Sequence, residues 1–397
     1  MTNNLPAGIT DEEIFSAHRG GKLEVSSKLS LESKRDLSVS YTPGVARVCS
    51  AIQDDPDLVR ELTWAGRNVA IISDGSAVLG LGNIGPAGAL PVMEGKAQLF
   101  KTFGDLNAVP IVLGTQDLEE LVQVITALAP SFGAINLEDI SAPRCFELEE
   151  RLTSTLDIPL MHDDQHGTAV VTTAGLVNAC KLTDRALGDL RVVISGAGAA
   201  GVAITRMLLK AGVQDITVLD SRGIIHKDRS PLNEVKQELA QLTNPRNLHG
   251  DAGVALRGAD VFIGVSAGTI TEQQLSGMAP EPILFSLANP DPEIPYALAE
   301  KYGRVIATGR SDLPNQINNV LAFPGIFRGA LDSGARRITP SMMLAAAEAI
   351  AGIVGDQLAT DYIVPSPLDD RVAGTVAAAV AKAAKLDPAA KVRVAEK

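Results

Sequence analysis

Two pairs of neighbouring acidic residues follow short apolar runs in the first half of the chain. Glu138 and Asp139 end the run AINLED, and Asp163 and Asp164 end the run IPLMHDD. The carboxyl ends of parallel strands meet at one edge of a sheet, so we expect these four carboxylates to converge. Converging carboxylates repel unless a cation neutralises them, and an all-oxygen ligand set suits Mg²⁺ or Mn²⁺. The sequence therefore predicts a divalent-metal site.

The local geometry of each acidic pair leaves alternatives open. Neighbouring residues in a strand point to opposite faces, so both members of a pair can face one ion only where the strand has turned into a loop. Either pair alone is also typical of a helix cap or a solvated turn. His162 and His166 flank the second pair and raise the alternative of zinc. We expect a loop between them, with no cysteine or third histidine nearby in sequence, so zinc is not favoured.

A glycine motif in the second half predicts a dinucleotide site. The run RVVIS leads into Gly196-x-Gly198-x-x-Gly201, and an apolar helical stretch follows. Gly196 permits a tight turn, Gly198 lets the backbone approach a pyrophosphate, and Gly201 allows close packing of helix on strand. The helix begins with Ala199 and Ala200, where free backbone N–H groups and the positive end of the helix dipole favour phosphate.

Asp220 ends the next apolar run, DITVLD, about 20 residues beyond the motif, where a carboxylate can bind both ribose hydroxyls of a dinucleotide. This carboxylate would repel the 2′-phosphate of NADP. Four nearby side chains could instead attract that phosphate: Arg222, His226, Lys227 and Arg229. We predict that NAD is the preferred cofactor, with NADP as the alternative.

Alternating apolar and helical segments predict the elements that position these residues. The apolar runs are NVAIIS, AVPIVLG, AINLED and IPLMHDD, followed by RVVISGAG, DITVLD, DVFIGVS, PILFSLAN and RVIATG. This alternation indicates an α/β fold, with parallel sheets covered by helices. We predict an N-terminal α/β domain over residues 1–165 and a Rossmann-type domain over 166–330. C-terminal helices over 331–397 are expected to pack back on the first domain.

Composition excludes several other classes of protein. The 397 residues include 35 basic and 47 acidic side chains, a formal net charge of −12, which argues against nucleic acid or an anionic membrane as partner. The first residues lack the basic and apolar stretches of an export signal, and no apolar run is long enough to span a membrane. Three widely spaced cysteines indicate reduced thiols. We therefore expect a soluble cytoplasmic protein. The chain stops at Lys397, so we expect no phosphotransacetylase-like regulatory domain after the core.

Seven longer motifs, between about residues 38 and 332, resemble the short bacterial form of the malic enzyme family. They are SVSYTPGVARV, SDGSAVLGLGNIGPAGALPVMEGKAQLFK, INLEDISAPRCFELEERL, HDDQHGTAVVTTAGLVNA, SGAGAAG, SLANPDPEI and SDLPNQINNVLAFPGIFRGALD. The resemblance implies oxidation and decarboxylation of (S)-malate to pyruvate and CO₂, with NAD(P) and Mg²⁺ or Mn²⁺. It also implies a homodimer, or a tetramer built from dimers.

The resemblance further assigns roles to particular residues. Tyr41 matches the acid that protonates the enol intermediate, and Lys96 matches the general base, which requires burial and a nearby metal ion to lower its pKa. Glu138, Asp139 and Asp164 match the metal ligands, and Asp163 matches the acid beside them. Asn289 and Asn318 match residues that hold the substrate carboxylate and the nicotinamide end of the cofactor.

One position departs from the longer eukaryotic members of the family. Those members carry an arginine that grips malate where this chain has Val78. We expect Ser76, backbone donors and the asparagines to hold the carboxylate instead. Three other functions remain as alternatives. A malolactic enzyme would release lactate and retain its cofactor, a silent nucleotide-binding regulator would lack catalysis, and an amino-acid dehydrogenase would not need the carboxylate cluster.

Overall fold

The computed structural model describes residues 8–289 and 291–393. The N-terminal stretch in which we expected no export signal includes residues 1–7, which lie outside the described residues. The α-helices are α1 (Asp11–His18), α2 (Lys34–Ser40), α3 (Val45–Asp54), α4 (Val59–Leu62), α5 (Gly85–Gly104), α6 (Leu118–Leu128), α7 (Arg144–Thr155), α8 (Asp163–Leu182), α9 (Ala199–Lys210), α10 (Glu234–Leu242), α11 (Ala252–Leu256), α12 (Glu272–Leu275), α13 (Tyr296–Tyr302), α14 (Phe323–Asp332), α15 (Pro340–Val354) and α16 (Arg371–Leu386). The strands are β1 (Asn68–Ser73), β2 (Asn107–Val112), β3 (Ala134–Leu137), β4 (Leu160–His162), β5 (Arg191–Ser195), β6 (Asp215–Asp220), β7 (Gly223–Ile224), β8 (Val261–Gly264), β9 (Ile283–Ser286) and β10 (Val305–Thr308).

The first sheet has the strand order β2-β1-β3-β4, and all of its neighbouring strands are parallel. Every residue of β1 is buried, because helices cover both faces of the sheet. The strand order reverses between β1 and β3, since the chain passes to β2 on one side and continues through β3 on the other. Such a reversal opens a crevice beyond the carboxyl ends of the strands, where ligands bind in open α/β sheets.

The second sheet has the strand order β10-β9-β8-β5-β6-β7. Its first five strands are parallel, but β7 pairs antiparallel with β6. The nine predicted strands and the α/β class are confirmed. The sequence pattern missed β7, because two residues are too short to show any periodicity.

Helix α8 connects the two sheets and is buried along most of its length. Helix α8 begins at Asp163, directly after β4. The prediction of a loop between His162 and His166 was therefore wrong, since this segment is the first turn of α8. Helices α14 and α15 pack against α16, and α15 also packs against α8. Helices α14 and α16 contact α5 beside the first sheet, while the proposed division at residue 165 stays a prediction.

The N-terminal segment, residues 8–64, carries an unusual amount of exposed apolar surface. Helices α1, α2 and α3 contain no buried residue. Its exposed large side chains include Phe15, Val25, Leu29, Leu31, Val39 and Trp64. Lys22 attaches the segment to α5, because its backbone N–H donates to Glu94 Oε2 at 3.0 Å and its Nζ donates to the Pro91 carbonyl at 2.8 Å. Many exposed large apolar side chains on one segment are typical of an interface with another protein chain.

Two further sequence expectations can be compared with the described residues. No helix among them combines the length and the apolar character needed to cross a membrane. Cys145 and Cys180 are buried, Cys49 is exposed, and all three are free thiols.

Candidate active site

The four acidic residues converge at the crevice of the first sheet. Strand β3 ends at Leu137, so Glu138 and Asp139 lie in the following turn, where Asp139 adopts a left-handed φ of 54°. Strand β4 ends at His162, and Asp163 and Asp164 form the first turn of α8. The backbone N–H of Asp139 donates to Asp164 Oδ2 at 2.8 Å, which joins the two pairs. The positive end of the α8 dipole also favours carboxylates at this position.

Three of these carboxylates form a group that suits one metal ion. Glu138, Asp139 and Asp164 each offer an oxygen within 4.8 Å of the others. Asp139 Oδ2 is buried and has no hydrogen-bond partner. Burial and the neighbouring carboxylates raise the pKa of Asp139 to about 9, and burial raises the pKa of Asp164 to about 6. A hard divalent cation would relieve this repulsion and take up the orphaned oxygen, so the donor set fits Mg²⁺ or Mn²⁺.

Glu149 on α7 holds the start of α8 in place. Its Oε1 accepts the backbone N–H of His162 at 2.8 Å, and its Oε2 lies 2.9 Å from His166 Nε2. Gln165 also donates to the same carboxylate at 3.1 Å. One ring nitrogen of His166 is thus held by Glu149.

Lys96 projects from α5 into the acidic group. Its Nζ lies 2.9 Å from Glu138 Oε1, contacts Asp163 Oδ2, and stands 4.2 Å above the ring of Phe323. Burial acts to lower the pKa of Lys96, but the charges of Asp163 and Glu138 outweigh it and the pKa is raised. The two carboxylates that touch the ammonium group cause this rise, and a lowering by burial together with a metal ion stays a prediction.

Two neighbouring asparagines contact this site differently. Asn319 donates its side-chain amide to Asp163 Oδ2, the oxygen that Lys96 also contacts. Asn318, the predicted substrate residue, accepts the backbone N–H of Val320 at 3.0 Å and caps a short 3₁₀ turn. Its side-chain NH₂ group thereby remains available to a ligand. Sequence reasoning selected Asn318 and missed Asn319.

Tyr41 lies at the end of α2 in the exposed N-terminal segment. Tyr41 is 65% exposed, whereas Lys96 is 8% exposed. Among the described residues, no hydrogen bond joins the Tyr41 hydroxyl to the acidic group. Within one copy of the chain, the structure therefore does not bring the predicted acid to the predicted base.

Ser76 and Arg144 meet beyond the carboxyl end of β1. Ser76 Oγ accepts the backbone N–H of Ser141 and Arg144 Nη2, each at 2.9 Å. Arg144 Nη2 also pairs with buried Asp74 Oδ2 at 2.5 Å, and Arg144 Nε is buried without a partner. Val78 is buried, and its backbone N–H donates to the Gly82 carbonyl at 2.9 Å within a tight loop. The Arg144 guanidinium thus places a positive charge beside Ser76, although Val78 stands where longer eukaryotic members have an arginine.

The glycine turn has the geometry that a pyrophosphate requires. Gly196 adopts a φ of 128°, and a Cβ on Gly201 would lie 1.9 Å from the Gly196 carbonyl oxygen. A Cβ on Gly198 would meet nothing within 4 Å, so the backbone there is open to a ligand. Helix α9 begins at Ala199 without a side-chain capping bond, which leaves the N–H groups at Ala199 and Ala200 free for phosphate.

Asp220 lies at the carboxyl end of β6 among cationic side chains. Its Oδ2 contacts Arg229 and accepts Lys236 Nζ at 2.8 Å, while its Oδ1 accepts the Arg222 N–H at 2.9 Å. Partial burial raises the pKa of Asp220, but these hydrogen bonds outweigh it and lower the value to about 2. Asp220 is therefore ionised across the physiological range. Lys236 was absent from the set of cations considered from the sequence.

Asn289 is exposed three residues beyond β9, at the same edge of the second sheet as the glycine turn. Buried Glu293 connects the neighbouring loops, because its carboxylate accepts the N–H groups of Ser266 at 2.9 Å and Ala288 at 3.3 Å. Sequence reasoning missed Glu293, whose only signal was its place in the motif SLANPDPEI. We infer that Glu293 fixes the loop that carries Asn289.

Family profiles match both halves of the chain. The profile described as "Malic enzyme, N-terminal domain" matches residues 20–153, and "Malic enzyme, NAD binding domain" matches residues 165–302 and 302–385. The chain belongs to the malic enzyme family. The resemblance inferred from the motifs is thus confirmed, as is the presence of an NAD(P)-binding domain.

Individual members of the malic enzyme family match nearly the whole chain. An NAD-dependent malic enzyme of Geobacillus stearothermophilus is 57% identical over 94% of this chain and 78% of the relative. A bifunctional malic/malolactic enzyme of Bacillus subtilis is 51% identical over 96% of this chain and 95% of the relative. The crystal structure of a malic enzyme from Pyrococcus horikoshii superimposes with a TM-score of 0.93 at 46% identity, covering 96% of this chain and 92% of that one.

Proposed function

We propose that this chain, a malic enzyme that oxidises and decarboxylates malate with NAD or NADP, carries out the reaction at the crevice of the first sheet. Glu138, Asp139 and Asp164 would hold Mg²⁺ or Mn²⁺ there. The observation that carries this proposal is the buried Lys96, whose Nζ lies 2.9 Å from Glu138 and contacts Asp163. A base, a candidate metal site and a positioning acid thus share one buried crevice.

Lys96 is the proposed base for the malate hydroxyl. Oxidation requires removal of the hydroxyl proton while hydride leaves the adjacent carbon. Lys96 must be neutral to accept that proton, whereas its contacts with Asp163 and Glu138 raise its pKa and favour the charged form. A cation on Glu138 would withdraw that carboxylate from Lys96 and favour the neutral amine. Asp163 and Asn319 orient the lysine, and Asp163 can receive its proton.

Two groups supply the remaining chemistry when they are bound. Glu138, Asp139 and Asp164 would hold a divalent cation, which would supply a Lewis acid for the carbonyl oxygen and for the negative charge left by departing CO₂. Gly196, Gly198 and Gly201 would hold the pyrophosphate of the dinucleotide, which would supply the hydride acceptor. Asn289 and Asn318 would hold the nicotinamide end and the substrate.

Tyr41 is the proposed acid that returns a proton to the enolate, and we propose that it acts across a homodimer. Tyr41 is exposed on an N-terminal segment whose apolar side chains lack cover within one copy. A second copy of the chain would bury this surface. Two-fold symmetry would then allow each copy to present Tyr41 to the Lys96 of its partner.

Arg144 is proposed to bind the malate carboxylate that is retained in pyruvate, while the other carboxylate leaves as CO₂. Its buried Nε has no partner, and Ser76 and Asp74 fix the guanidinium at the crevice. Arginine binds carboxylates in a fork geometry that matches both oxygens. Arg144 would thus take the role of the arginine that longer eukaryotic members carry at the position of Val78, and Ser76 would position its guanidinium.

Replacing Arg144 with methionine should raise the KM for malate by about 10- to 100-fold, since a hydrogen bond to a charged group contributes about 1.5–3 kcal/mol. The KM for the dinucleotide should not change. Steady-state kinetics measure both values. Arg151→Met is the matched control, because Arg151 lies on the same helix and pairs with Glu119 at the surface. An unchanged KM for malate, with only a lower melting temperature, would assign Arg144 a purely structural role.

NAD is the proposed preferred cofactor. Asp220 is ionised at physiological pH and lies where a ribose would bind, so it opposes a 2′-phosphate. Arg229 and Lys236 neutralise part of this charge, because both already bind the Asp220 carboxylate. They are thus engaged by Asp220 and less available to the phosphate of NADP.

The reaction is tested by mixing malate and Mn²⁺ with NAD or NADP, measuring the absorbance of the reduced cofactor and identifying pyruvate. We expect a higher kcat/KM with NAD. Chelation should abolish activity, and added Mn²⁺ or Mg²⁺ should restore it. Full activity in chelator would refute the metal site, and a higher kcat/KM with NADP would refute the cofactor preference.

The malolactic reaction is a second candidate, favoured by the bifunctional malic/malolactic relative from Bacillus subtilis, which this chain covers over 95% of its length. A malolactic enzyme would form lactate without net release of NADH. Quantifying lactate beside NADH in the same assay separates the two reactions.

A further inference from the structure

Two histidines and one aspartate meet on the second sheet's outer edge, away from the acidic crevice. His226 and Asp228 lie in the turn after β7, and His249 lies before α11. Each offers one ligand atom, and these atoms lie within 4.8 Å of one another. His249 Nε2 is 3.7 Å from Asp228 Oδ2. The proposed malic enzyme reaction uses none of these side chains.

The two imidazole rings of the cluster lie close together, and one of them has a buried nitrogen without a partner. The two rings are stacked with their centroids 3.9 Å apart. His226 Nδ1 is buried and has no hydrogen-bond partner among the described residues. A metal ion would satisfy that nitrogen, since a buried polar atom without a partner is costly.

We propose that His226, Asp228 and His249 form a second metal site, selective for transition metals such as Zn²⁺ over Mg²⁺. Two imidazoles and one carboxylate match the ligands that Zn²⁺ prefers, whereas Mg²⁺ prefers oxygen ligands alone. A cavity of about 500 Å³ adjoins the cluster and is lined by His226, Asp228 and Asn244. This cavity leaves room for water to complete the coordination.

The cluster is connected to the cofactor half of the molecule through one turn. The backbone N–H of Arg229 donates to the His226 carbonyl at 3.1 Å, and Arg229 contacts the Asp220 carboxylate. Arg229 also donates to the carbonyls of Gly223 and Ile224, at 3.0 and 2.9 Å. A metal bound by His226 and Asp228 would therefore stabilise the turn that presents Arg229 to Asp220.

Isothermal titration of the untagged chain with Zn²⁺, in excess Mg²⁺, tests the site. We expect His226→Ala and His249→Ala to bind one Zn²⁺ fewer per chain than the unmodified protein. His18→Ala is the matched control, because His18 is an exposed histidine on α1 outside the cluster, and it should retain the full stoichiometry. The acidic crevice is intact in all four proteins, so any zinc bound there contributes equally to all four stoichiometries. Equal stoichiometry in all four would overturn the proposal.

Hydrogen exchange provides a second measurement that is independent of catalysis. Zn²⁺ should slow exchange of the backbone amides of residues 223–229 in the unmodified protein and in His18→Ala. It should have no such effect in His249→Ala, whose exposed side chain can be removed without disturbing the core. Unchanged exchange at these amides in the unmodified protein would refute the link between the metal and the turn. Neither experiment depends on the proposed roles of Lys96 or Tyr41.

Discussion

Lys96→Ala should reduce the kcat for malate oxidation by about 10²- to 10⁴-fold, the range that general base catalysis contributes. The same variant should retain part of its oxaloacetate decarboxylation. Oxaloacetate already has the carbonyl group, so its decarboxylation needs the cation and the acidic residues but no base for a hydroxyl proton. The two reactions, measured on one preparation with Mn²⁺, separate loss of the base from loss of the site.

The controls for this prediction follow from the contacts of Lys96. Removal of its ammonium leaves the buried Glu138 and Asp163 without their cationic partner, which can destabilise the fold. Thermal unfolding in the presence of Mn²⁺ therefore accompanies the kinetics. Lys101→Ala is the matched control, because Lys101 lies on the same helix and pairs with exposed Asp105 at 2.9 Å. Equal loss of both reactions in a folded Lys96→Ala protein would argue against the base role.

The sequence predicted the α/β architecture well because its strands are short, apolar and separated by helical segments. Buried parallel strands such as Asn68–Ser73 read as continuous apolar runs. The start of α8 was missed because its first turn, Asp163 to His166, is polar and has no apolar periodicity to mark a helix. That turn obtains its stability from Glu149 and from the helix dipole, which are contributions of the tertiary fold.

The convergence of the acidic pairs was also predictable, since parallel topology brings strand ends to one edge. The electrostatic state of Lys96 was not, because its partner Asp163 lies 67 residues away in sequence. Burial alone would lower the pKa of Lys96, and the contacts with two carboxylates in the folded structure reverse that effect. Arg144 and Asn319 were missed for the same reason, since no local pattern distinguishes them from surface residues.

Tyr41 could serve either the site of its own copy or the site of a partner copy. Sequence similarity proposes a role for Tyr41, but it does not indicate which copy supplies the side chain to which site. In the described structure, Tyr41 is 65% exposed and its segment has no apolar cover. A proton donor for a buried enolate must be shielded from water, so an exposed Tyr41 is incomplete as an acid until another surface covers it.

Heterodimers of Tyr41→Phe and Lys96→Ala should recover activity that each homodimer lacks. If Tyr41 acts on the partner copy, one of the two sites in such a heterodimer combines an intact Lys96 with an intact Tyr41. The other site lacks both residues. The purified heterodimer should therefore show about half of the unmodified activity per dimer, as two-fold symmetry requires. Two different affinity tags on co-expressed chains allow its isolation, and pyruvate formation from malate measures the recovery.

A matched heterodimer of Lys96→Ala and Asp163→Asn provides the control. Both of these residues belong to the same copy, where they contact each other, so each site of this heterodimer retains one defect. No activity should return in that case. If the Tyr41→Phe and Lys96→Ala heterodimer is equally inactive, Tyr41 serves its own copy, and the N-terminal segment must fold back over α5 to reach Lys96. Recovery in the first heterodimer alone would establish a shared site, which makes dimerisation a requirement for catalysis rather than for stability only.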